Sequence, residues 1–61
     1  MKLTPIAGGD CGSDDCPTIF TTDNDTIAVQ GDVVHKKTPV GEAVVEIPTA
    51  VFLEAARALG R

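Results

Sequence analysis

Two short runs rich in β-branched residues, Thr18-Ile19-Phe20-Thr21-Thr22 and Thr26-Ile27-Ala28-Val29-Gln30, lie on either side of Asp23-Asn24-Asp25. Branched and aromatic side chains suit the pleated surface of a strand. The second run also alternates polar with apolar, the period-2 mark of a half-buried strand. Asp and Asn tolerate left-handed backbone and close tight turns. The segment therefore predicts a β-hairpin. An isolated hairpin is at best marginally stable in water, so the rest of the chain has to supply more strands and a layer to cover one face.

The covering layer is predicted at the C-terminus. Thr49 can cap a helix, although no Glu or Gln follows three residues later to close a capping box. From Ala50 onward, Glu54, Arg57 and Arg61 fall on one polar stripe, with Phe52, Ala55, Ala56 and Leu59 opposite and Gly60 as the stop. The two alanines let such a helix approach a sheet closely, Phe52 and Leu59 are expected to fill the core, and Leu53 sits at the boundary beside Arg57. Between hairpin and helix, Gly31-Asp32 reads as a bulge or bend, Val33 and Val34 continue extended to about Lys36, and Thr38-Pro39-Val40-Gly41 reads as a turn. Glu42 to Ile47 alternates again, with Ala43, Val45 and Ile47 on one face. Ahead of the hairpin, Lys2 to Ile6 can add a short strand that Pro5 restricts to an edge. Glycine and aspartate among residues 1–16 otherwise predict an irregular acidic arm. The expected fold is α+β: a three- to four-stranded antiparallel hairpin meander over 17–61, with one C-terminal helix packed on one face.

A chain of 61 residues is one domain, and a domain of that size buries only about 60% of its unfolded surface. Seven Ala and seven Val stand against two Phe, with no Trp or Tyr. Small side chains bury little area each. Support from outside a single core is therefore expected: a second copy, another protein or a cross-link. Charge is uneven. Six Asp and one Lys give −5 up to Asp32, whereas three Glu, two Lys and two Arg give +1 from Val33 onward. An acidic half repels phosphate, which argues against direct nucleic-acid binding and for a protein partner with a basic surface. Asp10, Asp14 and Asp15 in the arm, with Leu53 and Arg57 on the helix, are the candidate interaction residues. No run approaches the ~20 apolar residues of a membrane span, and MKLTPIAGGD is not a secretory signal. A cytoplasmic location is expected.

The stretch from Asp10 to Pro17 concentrates the candidate chemistry. Cys11 and Cys16 admit three readings: half of a zinc site that a dimer would complete, a disulfide closing a short loop worth ~2 kcal/mol at most, or ordinary thiols that anchor the arm as small hydrophobes. A reducing compartment weights the choice toward plain thiols. Redox catalysis is disfavoured, because four residues separate the cysteines and the surrounding carboxylates oppose a thiolate. Gly8-Gly9-Asp10-Cys11-Gly12 lacks the spacing of either a glycine–aspartate calcium repeat or an EF-hand. His35, the one imidazole, reads as an exposed residue at a strand end, with no nucleophile arranged for it. No phosphate-binding loop is present. The chain reads as a non-enzyme without a cofactor, zinc on Cys11 and Cys16 being the alternative.

The corner Glu46-Ile47-Pro48 resembles the strand–Ile-Pro–helix corner of AbrB/MazE-type DNA-binding proteins; the match stops there and implies no DNA contacts. Cys16-Pro17-Thr18, Thr22-Asp23, Val29-Gln30-Gly31 and Glu54-Ala55-Ala56 together resemble small uncharacterised actinobacterial proteins, over roughly residues 11–59. Those proteins tend to be encoded beside helix-turn-helix regulators, so the resemblance implies a regulatory partner and supplies no catalytic residue. The expectation is a small acidic protein-interaction module that self-associates as a homodimer, with a transcription regulator as a candidate partner. A zinc-stabilised structural domain is the alternative and a small enzyme the third reading.

Overall fold

The computed structural model describes residues 1–9 and 16–60. Strands β1 (Leu3–Gly8), β2 (Thr18–Thr22) and β3 (Ile27–Gln30) form an antiparallel sheet in the order β1-β2-β3. The predicted hairpin is β2–β3, with Ile19 opposite Val29 and Thr21 opposite Ile27. Its turn is built as the sequence indicates. Thr22 N–H donates to Thr26 O at 3.0 Å, and Asp25 takes the left-handed position at φ 62°. The Thr22 hydroxyl lies 2.6 Å from that of Thr26 and accepts the amides of Asn24 and Thr26.

The edge strand forms but runs further than expected. β1 continues to Gly8, and Ala7 is buried in the core, so residues 3–8 belong to the folded domain and not to an irregular arm. A bulge between Pro5 and Ala7 keeps Ala7 opposite Ile19. Residues 10–15 of the expected arm, including Asp10, Cys11, Asp14 and Asp15, lie outside the described residues.

The fourth strand does not join this sheet. β4 (Asp32–Val34) and β5 (Val44–Glu46) pair with each other as a separate two-stranded ribbon. Gly31 is the point of departure. A Cβ built there would lie 2.4 Å from the Glu46 carbonyl oxygen and 2.8 Å from Ile47 Cγ2, so only glycine lets β3 pass the end of β5 this closely. The ribbon's loop carries a turn in which Glu42 N–H donates to Pro39 O at 3.1 Å, with Gly41 at φ 87° in the position that demands positive φ.

Helix α1 (Thr49–Gly60) lies across β1 and β2. The Pro48 carbonyl accepts from Val51 and Phe52, so Pro48 occupies the N-cap position expected for Thr49. Val51 and Ala55, one turn apart, face the sheet. The core consists of Ala7, Ile19 and Ala55, flanked by half-buried Ile6, Ile47 and Val51. Phe52 and Leu59 do not fill it, contrary to the helical pattern. Both project from the flank of a helix that sits over the β1 side of the sheet, and both stay largely exposed.

Candidate interaction surface

That placement of α1 leaves β3 without a roof. Ile27 and Val29 share the helix-side face with Ile19, yet they remain 48% and 45% exposed. Across from them, Phe52 is 59% and Leu59 49% exposed. Between these two walls runs an open groove of about 240 Å³, lined also by Ile19, Ile47, Ala55 and Ala56. No polar side chain lines it. Such a surface offers shape and apolar area and no acid, base or nucleophile, so its physical capability is to bury another apolar surface.

The two edges of the main sheet differ. Phe20–Ala28 and Thr18–Gln30 are the hydrogen-bonded pairs of the hairpin, because bonded and non-bonded pairs alternate from Thr22–Thr26. The N–H and C=O groups of Ile27 and Val29 therefore point out of the sheet at its free edge. They belong to the same two residues whose side chains line the groove.

The residues singled out from sequence are scattered. Leu53 is half-exposed, as expected at a boundary, and Arg57 is exposed beside it on the helix, away from the groove. Asp10, Asp14 and Asp15 lie outside the described residues. His35 is exposed just beyond β4. Cys16 is buried and disulfide-bonded, which corrects the weighting toward plain thiols. The chain's other cysteine, Cys11, lies outside the described residues. A sulfur held in a disulfide offers no thiolate to zinc. The Cys16 carbonyl accepts from Thr18 Oγ1 at 2.8 Å and Gln30 Nε2 at 2.9 Å, tying the approach to β2 to the far end of β3.

A second hollow, about 280 Å³, lies between Pro17, Asp32, Glu46, Ile47 and Pro48. Its two carboxylates face each other across the β4–β5 register. Among the described residues no group of three or more His, Cys, Asp or Glu gathers as metal ligands, and no buried side-chain polar atom lacks a hydrogen-bond partner. No helix among them is long and apolar enough to cross a membrane.

The groove was not foreseen because periodicity tells which side chains avoid water, not which neighbour covers them. The signal available was the combination of an apolar hairpin strand with a helix carrying Phe52 and Leu59 in a chain otherwise short of large side chains. No family model, curated protein or solved structure matches the chain.

Proposed function

We propose that this chain is a small protein-interaction module whose working surface is the groove between β3 and α1. One observation carries the reading: four large apolar side chains, Ile27, Val29, Phe52 and Leu59, stand about half exposed around a single groove in a chain whose buried apolar residues, among those described, are Ala7, Cys16, Ile19 and Ala55. Apolar area in that arrangement gains by being covered, at about 25 cal/mol per Å² removed from water. The occupant is a polypeptide that presents apolar side chains and an extended edge. The disulfide at Cys16 favours an oxidising compartment over the cytoplasm, since such bonds persist mainly in oxidising surroundings.

The test is site-specific photocrosslinking. A benzophenone side chain replaces Phe52 in the groove or, as the control, Val40, which is fully exposed in the loop before β5. Crosslinks from position 52 into a polypeptide, with none from position 40, are the expected result. A position 52 that captures no polypeptide at working concentration contradicts the proposal.

A further inference from the structure

Resting on that reading, the structure assigns the groove's occupant: a second copy of this chain, paired β3 to β3 about a two-fold axis through Ala28. The outward N–H and C=O groups of β3 come from Ile27 and Val29, two residues apart. An antiparallel copy centred on Ala28 sets Ile27 opposite the partner's Val29 and Val29 opposite the partner's Ile27. Each of these is a bonded pair that exchanges two hydrogen bonds, so four form across the axis and no outward group of the two residues is left over. Ala28 meets its own copy at the closer-spaced position, where a methyl group fits. Thr26 opposes Gln30, and no charged residue lies within the paired segment 26–30. The strand is thus complementary to itself, as a two-fold interface requires.

The axis runs perpendicular to the sheet, so both helices end on the same face of a continuous six-stranded sheet. Each helix presents Phe52 and Leu59 toward the axis, above Ile27 and Val29 of both copies. The two open grooves merge into one apolar seam. The side chains that would meet at the axis are the ones a single copy leaves about half exposed: Ile27, Val29, Phe52 and Leu59. A net charge of −4 on each copy opposes association in general, yet no charged side chain lines the groove or the strand that meet.

The experiment uses the whole purified chain. Light scattering is expected to give twice the chain mass at micromolar concentration. The double variant Ile27→Lys/Val29→Lys, checked for native far-UV circular dichroism, is expected to give the single mass, a loss of at least a hundredfold in association. A second variant does not depend on tolerating lysine: Ala28→Cys is expected to form an intermolecular disulfide on mild oxidation, whereas Val40→Cys does not, because the two Ala28 Cα atoms would lie within the ~4.4–6.8 Å that a disulfide spans. A monomer at high micromolar concentration, or a dimer that keeps its mass in the double variant and fails to crosslink through position 28, overturns the assignment. Photocrosslinks from position 52 into a different protein overturn self-pairing while sparing the interaction reading; no crosslink at all removes both.

Discussion

The two edges of the main sheet have opposite designs. β1 is obstructed at several points. Lys2 precedes it, with its amide donating to Asp23 Oδ1 at 3.1 Å and its carbonyl accepting from Asp23 N–H at 3.3 Å. Pro5, opposite Phe20, puts an N–H-less nitrogen on the outward side. A bulge follows, and the Gly8 amide is taken by Glu54 Oε1 from α1 at 3.3 Å. These are the devices by which edge strands avoid unwanted pairing. β3, on the other edge, has no charge, no proline and no bulge, and its side chains are half-exposed Ile and Val. The sheet obstructs one edge and leaves the other bare, the asymmetry that the proposed self-pairing through β3 requires.

Removing the obstruction from β1 should produce the largest change. Lys2→Thr with Pro5→Val gives the chain two pairable edges, and copies joined at both edges no longer close. The expected outcome is a shift from a defined small assembly to open-ended aggregates, read by turbidity and thioflavin fluorescence; an unchanged size distribution would show that these residues do not guard the edge. Next in size is Gly8→Ala. Gly8 holds φ 73°, and a Cβ there would lie 2.1 Å from the Pro17 carbonyl oxygen, a backbone atom that cannot move aside alone. A loss of about 2–3 kcal/mol is expected from urea unfolding, and a loss below about 0.5 kcal/mol would mean that the β1–β2 corner is not held as described. The smallest effect is that of Glu54→Ala, which frees the exposed Gly8 amide to water. It should lower stability by about 0.5 kcal/mol, without altering the association of β3.

Much of this contrast was legible from residues. Asp23-Asn24-Asp25 marked the turn, Pro5 marked an edge, and Thr49–Gly60 form the C-terminal helix that their pattern predicts. The alternation from Glu42 to Ile47 also predicted a strand, and one forms over the shorter span Val44–Glu46. Its partner was less readable, because the close pass of Gly31 beside Glu46 is a contact between segments distant in sequence, and a lone glycine in a strand pattern signals only that something happens there. The groove was hidden for a related reason. Phe52 and Leu59 look like core residues on a helical projection, and only the lateral position of α1 over β1 and β2 turns them into the wall of an open surface. The state of Cys16 was not decidable from spacing, which permits thiol, disulfide and ligand alike.

Amide hydrogen exchange across a dilution series addresses the difference between the edges most directly. With β3 paired, the Ile27 and Val29 amides should exchange slowly at high concentration and lose that protection together on dilution, while the Ala28 amide, bonded within the hairpin, stays protected throughout. Ile27 and Val29 amides that exchange at the rate of an open chain at every concentration would contradict the account.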